Sequence, residues 1–428
     1  MKILIYTLFL FYLSFKSYAL NIEDVIKSTI ENNPKVKIAI EKLNESKELI
    51  IYAKGEKLPT VSSSISGTYK TADTTTTTSS TTPETITDAY QLTISQNLYD
   101  AGFNDLEIER SKILFNNELI VFKLTIQDLI LDAINGYLMV INFEKSLESN
   151  KKNYDSVFQA LDETKTRFNI GSATLYDLQN AEASFALATT NLFSAEQNLL
   201  ISKKSFKKIV GMNPINLEDV IEIDINLDIN TIIKSSLENN LNLLLINNDI
   251  QNKDILILKE KKSKKPSLDI IGTGLYSNGG RLENGTENTS GSIALTLTIP
   301  LFQQGQDDSN IRKYQSQKIQ AEMKLQDEKE NLEILISNTF KDYKISQSQM
   351  NSNTIIIKSI ETSLKSLKEE YNIGTKTISD LMEEEEKLLN ANVNFLNSKK
   401  NYLNNYFKLK SLDGSLMNLF EDYLPSIN

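Results

Sequence analysis

Two stretches of this chain are almost free of helix breakers. Residues 103–166 contain no Pro and a single Gly, Gly136; residues 306–369 contain neither. Apolar residues at Ile120, Leu124, Leu131, Ile134, Leu138 and Ile141 step by threes and fours, the spacing of one helix face. Sixty-four residues at 1.5 Å each make a rod of roughly 95 Å. Helices of ordinary globular cores run about three to four turns, so this chain is expected to build something elongated.

Each rod ends at the same kind of turn. Phe168-Asn169-Ile170-Gly171-Ser172-Ala173-Thr174-Leu175-Tyr176-Asp177-Leu178 has a copy in Tyr371-Asn372-Ile373-Gly374-Thr375-Lys376-Thr377-Ile378-Ser379-Asp380-Leu381, 203 positions on. Gly102 and Gly305, and Gly211 and Gly414, keep the same displacement. Upstream, Asn32-Asn33 matches Asn239-Asn240 and Pro59 matches Pro266, now 207 apart, so a loop between Pro59 and Gly102 is shorter in the second copy. One long unit given twice is the reading, with repeat 1 over 20–211, a Pro-containing linker over 212–228, repeat 2 over 229–414 and a short tail over 415–428. After the first turn, Leu175, Leu178, Ala181, Phe185, Ala188, Leu192, Ala195, Leu199, Ser202, Phe206 and Ile209 keep a 3.5-residue rhythm. That rhythm lays neighbouring helices side by side as coiled coils. Two antiparallel helices joined at Gly171 are expected (tip 167–177), and two more at Gly374 (tip 370–380).

Before each rod lies a helix followed by two alternating runs. Asn21 to Lys57 reads as helix, interrupted where Asn33 caps and Pro34 takes the first helical position. Asn230 to Lys264 reads as its counterpart. Strands are expected at about 60–70 and 88–98, where Tyr90, Leu92, Ile94 and Leu98 alternate with Gln91, Thr93 and Ser95. A second pair is expected at about 267–277 and 291–301, with Ile293, Leu295, Leu297, Ile299 and Leu301 on one face. Period-two alternation over ten residues is a strand with one apolar and one wet face. The Thr/Ser-rich segment from Thr71 to Thr87 and the Gly/Asn-rich segment from Asn278 to Ser290 read as solvated loops.

Met1 to Ala19 reads as a cleaved export signal: Lys2, an apolar run from Ile3 to Phe15, then Ser17-Tyr18-Ala19. No later apolar run is expected to supply the ~20 residues of a membrane helix. The sequence has no Cys, His or Trp. That removes disulfides, thiolate metal sites, a lipid anchor on cysteine, and the commonest general base and metal ligand. No phosphate-binding glycine loop or nucleophile–base pair is present, so an enzyme is not expected, nor any cofactor or metal. The net charge of −10 becomes about −12 without the leader's two lysines, which disfavours nucleic acid as a partner.

Four strands with one apolar face each suit a transmembrane barrel, in which closure pairs every backbone group. Four are too few, since about eight is the smallest number that encloses packed side chains. The strands must be pooled: two chains would give eight and three would give twelve. Residue patterns alone leave that choice open.

The whole arrangement resembles the TolC family of outer-membrane efflux proteins. Arg167-Phe168-Asn169-Ile170-Gly171 with Asp177-Leu178 is similar to the family's first periplasmic turn. Tyr371-Asn372-Ile373-Gly374-Thr375-Lys376-Thr377 with Asp380-Leu381 is similar to the second. Gln96-Asn97-Leu98-Tyr99-Asp100-Ala101-Gly102 and Ile299-Pro300-Leu301-Phe302-Gln303-Gln304-Gly305 resemble its strand-to-helix junctions. The resemblance implies a mainly α fold with a β-barrel part. In it a homotrimer pools twelve strands into a barrel in the outer membrane of a Gram-negative bacterium, continued by a coiled-coil α-helical tunnel through the periplasm. Its implied partners are outer-membrane lipid, a periplasmic adaptor protein and an inner-membrane transporter. Asp380 and Glu383 match the acidic ring that narrows the family's closed tunnel. Asp177, Tyr371 and Lys376 match its latch, with Lys where Arg is familiar, which would lose a bidentate contact. Ile170, Gly171, Ser172, Ile373, Gly374 and Thr375 form the tips that the adaptor would grip.

Two other readings compete. A type I protein-secretion duct would look the same as an efflux duct. A trimeric coiled-coil adhesin would account for the rods and the Thr-rich segment, though not for the strand pairs given twice.

Overall fold

The computed structural model describes residues 19–71, 74–76, 79–81, 84–219, 227–279 and 286–425. The expected leader, residues 1–18, lies outside them, as do 220–226 of the linker and 426–428 of the tail. The fold is mainly helical with a small four-stranded sheet. Its elements are α1 (Ile22–Asn32), α2 (Pro34–Gly55), β1 (Thr60–Thr71), β2 (Thr74–Thr76), β3 (Ser79–Thr81), β4 (Glu84–Tyr99), α3 (Phe103–Asn169) and α4 (Leu175–Val210). After these come α5 (Ile229–Asn239), α6 (Leu241–Lys262), β5 (Ser267–Gly279), β6 (Thr286–Thr298), α7 (Gln306–Asn372), α8 (Ile378–Leu412) and a 3₁₀ turn at Met417–Tyr423. Both α3 and α7 are 67 residues long.

The chain divides into two compact units. One comprises Ile38–Phe122 and Leu241–Lys329 and holds the sheet, ordered β1-β4-β5-β6 with every neighbour antiparallel. Register sets the faces. Val61 and Ile65 pair with Ile94 and Tyr90, Tyr90 pairs with Tyr276, and Leu268 and Ile270 pair with Leu297 and Leu295. All of these share one face because partners in a ladder point the same way. Ser62, Ser64, Gln91 and Thr93 occupy the other. Apolar side chains on the first face, among them Val61, Ile65, Tyr90, Leu92, Ile94, Ile293, Leu295 and Leu297, are exposed. The Tyr90 and Tyr276 rings lie 6.1 Å apart, tilted at 40°.

The strands run further than their alternation suggested. Thr71–Thr87 is not a loop throughout: β1 reaches Thr71, β4 starts at Glu84, and β2 and β3 form a short hairpin between them. In the same way β5 reaches Gly279 and β6 starts at Thr286, leaving 280–285 outside the described residues. Thr, Ser and Tyr suit strands as well as they suit solvent, so composition alone mistook strand for loop. At the other end β6 stops at Thr298, which leaves Ile299 and Leu301 beyond it. Pro300 has no N–H to donate to a ladder.

The second unit comprises Met1–Lys37, Lys123–Asn240 and Glu330–Asn428 and is helical among its described residues. Along α4 the buried positions are Ala181, Ala188, Ala195 and Ser202, spaced by seven, then Phe206 and Val210. Small residues at one heptad position let neighbouring helix backbones approach closely, and the expected 3.5 rhythm is visible in them. Along α3 the buried face is Ile126, Leu129, Ile130, Ala133, Tyr137 and Val140 together with Ile134 and Leu138; Ile120, Leu124, Leu131 and Ile141 are only half-buried. Apolar residues cover more than one face of α3, and the buried stripe is rotated from the expected one. That same richness makes α3 long and apolar enough to cross a membrane, against expectation, but just over half of its most apolar stretch packs inside the protein.

The pre-strand helix of the second half is also two helices. It breaks at Asn240, whose extended backbone (φ −65°, ψ 124°) mirrors that of Asn33 (φ −74°, ψ 125°). Leu241 stands where Pro34 does, so the break does not need proline. Each asparagine amide caps the C-terminus of a distant helix: Asn33 Nδ2 donates to the Ile209 carbonyl (2.9 Å) and Asn240 Nδ2 to that of Leu412 (3.3 Å). The start of the linker is pinned as well. Leu20 and Leu217 form a parallel bridge, and Tyr137 Oη donates toward the carbonyls of Leu20 (3.0 Å) and Glu218 (2.6 Å). Burial pushes the Tyr137 hydroxyl well above its ordinary pKa, with the Glu218 charge adding to it.

Candidate functional site

The helical unit brings together the ends of four helices. Val157, Ala160 and Leu161 of α3, Ala181 and Ala188 of α4, Tyr371 of α7, and Ile378 and Met382 of α8 form one buried cluster, against which Leu178, Phe185 and Leu381 pack. Two interhelical turns border it. In the first, Gly171 donates to the Phe168 carbonyl (2.9 Å) and Ser172 to that of Arg167 (2.7 Å); in the second, Gly374 donates to Tyr371 (3.0 Å) and Thr375 to Glu370 (3.0 Å). This paired six-to-one and five-to-two pattern ends a helix on a left-handed residue. Gly171 (φ 79°) and Gly374 (φ 82°) provide that residue. Ile170 and Ile373, which precede the glycines, are 73% and 76% exposed. Leu175 and Tyr176 are exposed beside them; Leu175 was expected to open the buried seam of α4, but it lies in the first turn, where the seam has not yet begun, and nothing in the sequence pattern singled out Tyr176.

Both outgoing helices open with a capping box. Thr174 Oγ1 accepts from Asp177 N (3.1 Å) while Thr174 N donates to Asp177 Oδ2 (2.9 Å). Thr377 and Asp380 repeat this at 3.2 and 2.9 Å. The motif satisfies two amides that a helix start leaves without partners. Donation from the Thr377 backbone, then from its hydroxyl, holds the Asp380 carboxyl below the ordinary carboxylate range. So both candidate aspartates are first of all the N3 partners of the threonine caps.

Glu383 is exposed and pairs with Lys387 one turn on (2.8 Å). Asp380 and Glu383 therefore each hold a local partner within their own helix. Of the three candidate latch residues, Tyr371 is buried, Asp177 acts on it only through space, and the charge of Lys376 acts on Asp380. The contacts Tyr371 does make were not foreseen. The Arg167 guanidinium lies over its ring, 4.6 Å from Cζ to the centroid, and Arg167 is held by Glu163 at 2.6 and 3.0 Å. The i,i+4 spacing of Glu163 and Arg167 was available as a signal. Glu385, buried at a seam position of α8, pairs with Lys368 of α7 (2.9 Å).

A sheet with one exposed apolar face suits contact with lipid, and the helical unit presents hairpins whose turns end on left-handed glycines and whose outgoing helices are capped. The family profile described as "Outer membrane efflux protein" matches residues 25–212 and again 232–415. The chain belongs to that family, and it is an outer-membrane protein. Outer membrane protein TolC of Escherichia coli is 25% identical over 308 residues, which cover 68% of this chain and 62% of TolC's own length. Alkaline protease secretion protein AprF of Pseudomonas aeruginosa is 21% identical over 430 residues, covering 95% and 87%. Among solved structures, the CmeC outer membrane channel of Campylobacter jejuni superposes with a TM-score of 0.78 at 18% identity, over 94% of this chain and 90% of that one. The open state of the MtrE channel of Neisseria gonorrhoeae gives 0.72 at 14%, over 92% and 89%.

Proposed function

We propose that three copies of this chain assemble into a duct that carries solutes or polypeptides out across the outer membrane. The observation that carries this is the sheet. Among the described residues it has four strands, an exposed apolar face, and two edge strands, β1 and β6, each paired on one side. An open edge in lipid leaves backbone groups unsatisfied, at several kcal/mol per group. Pairing β6 of one copy with β1 of the next removes every edge, and three copies supply the twelve strands of a barrel wide enough to conduct. The helices continue the barrel as a periplasmic tunnel, and the two halves of the chain serve as two quasi-equivalent copies of one unit.

In this reading Asp380 and Glu383 narrow the tunnel's inner end as converging rings of carboxylates that favour cations. Asp177, Tyr371 and Lys376 hold that end closed. The exposed turns Ile170-Gly171-Ser172 and Ile373-Gly374-Thr375 receive a periplasmic adaptor, which links the duct to an inner-membrane transporter. Efflux and type I secretion remain alternative routes, the family description naming efflux and the relative AprF naming protease secretion. The trimeric adhesin reading has less support, since it does not account for the strand pairs given twice. Native mass spectrometry of the detergent-extracted protein tests the assembly. Three copies are expected; a stable monomer that retains the sheet overturns the pooled barrel.

A further inference from the structure

We propose that Arg167 and Glu163 of α3 clamp Tyr371 of α7, and that this clamp is a charged tie which, added to the apolar cluster, joins the two helical hairpins at the closed end. The inference rests on the gated-duct reading and names the residues that do the holding.

Tyr371 is 6% exposed, although the turn that begins two residues later is open to solvent. Its ring is held on one face by the Arg167 guanidinium at 4.6 Å, and the Glu163 carboxylate lies by its hydroxyl. Burial and then the Glu163 charge raise that hydroxyl above its ordinary pKa, so it stays a neutral donor. Both α3 groups sit one turn apart on the same helix and are bonded to each other. The tyrosine therefore meets a preassembled receptor on the other hairpin. By contrast, Asp177 has its Oδ2 engaged by Thr174 in the cap of α4. A neutral contact from Asn180 to Ser379 (3.1 Å) adds to the tie.

The clamp is also built to release. Arg167 keeps Glu163 as its partner whether or not Tyr371 is present, so parting the hairpins strands no buried charge, the costliest result of breaking an ionic contact. The Lys368–Glu385 pair joins α7 to α8 and would travel with them as one hairpin. A contact that is worth a modest amount and leaves both sides satisfied is what a reversible closure requires.

Single-channel recording in planar bilayers tests this with wild type, Tyr371→Ala, Arg167→Ala, Arg167→Lys and the Tyr371→Ala, Arg167→Ala double variant. Each alanine variant is expected to raise the open-to-closed ratio roughly 2- to 30-fold, the range of a cation–π contact from exposed to desolvated. The double variant should open no further than the stronger single one, because both remove the same contact. Arg167→Lys should recover part of the closure, which a loss of folding would not do. Wild-type gating in both alanine variants, or independent additive effects, overturns the clamp; if Asp380→Ala, Glu383→Ala still alters conductance, the duct stands without it. Folded protein that forms no pores in any version overturns the duct and the clamp together.

Discussion

Gly211 stands against Asn32: a Cβ on the glycine would lie 2.8 Å from the Cβ of the asparagine, and the glycine backbone is left-handed at φ 85°. Gly414 meets Asn239 in the same way, at 3.0 Å and φ 77°. Two requirements coincide at each site, a left-handed helix end and close passage of another helix. Gly211→Ala is therefore expected to cost about 1–3 kcal/mol, read as a lower denaturant midpoint in detergent. Gly171→Ala, with nothing within 4 Å of the added carbon, should cost distinctly less.

Asn33 does two jobs at once. Its Oδ1 accepts from Lys35 N (3.0 Å) at the start of α2, while its Nδ2 caps the end of α4. Asn33→Ala should destabilise the protein by about 1–3 kcal/mol, a lost cap plus an orphaned carbonyl. Asn33→Asp keeps the acceptor and should lose only the second part, so its melting temperature is expected between the two.

These paired contacts explain which parts of the fold were legible in the sequence. Asn32-Asn33 and Gly211 have counterparts in Asn239-Asn240 and Gly414, displaced by 207 and 203 positions, and in both places asparagine and glycine touch. The rods, the turns and the strand centres were equally plain, since period, glycine and proline report them directly. The break at Asn240 was missed because only the first copy carries proline. Strand ends were missed because threonine and serine do not distinguish a strand from a loop. At the tip, the residues singled out do border the four-helix cluster, but their partners are set by packing between distant segments. No local pattern says that Arg167 will lie over Tyr371.

The apolar face of the sheet should tolerate no charge. Ile293 is on that face and 82% exposed, so Ile293→Lys is expected to cost about 2–4 kcal/mol in a bilayer. Ser292→Lys, on the opposite face, should be nearly neutral. Folding yield into lipid vesicles, followed by gel mobility, compares them, and equal yields would place the sheet outside lipid.

Acid should loosen α8 from its first turn. The Asp380 carboxyl titrates below its ordinary 3.8 in the folded protein, so the folded state binds its proton less readily than the unfolded chain. The capping contribution is thus fully present above that value and is lost as pH falls through the lowered one. The protection of the Asp380 and Leu381 amides against exchange, taken relative to intrinsic rates and followed from pH 5 to pH 3, should fall in wild type. Asp380→Asn should show low protection throughout, with little further change.

The most direct test of the account is the conductance of the purified protein beside its Asp380→Ala, Glu383→Ala variant. A gated trimeric duct predicts a small, cation-selective conductance in wild type that grows or loses selectivity when the carboxylates are removed. Stable, folded protein that gives no conductance in either form would contradict it.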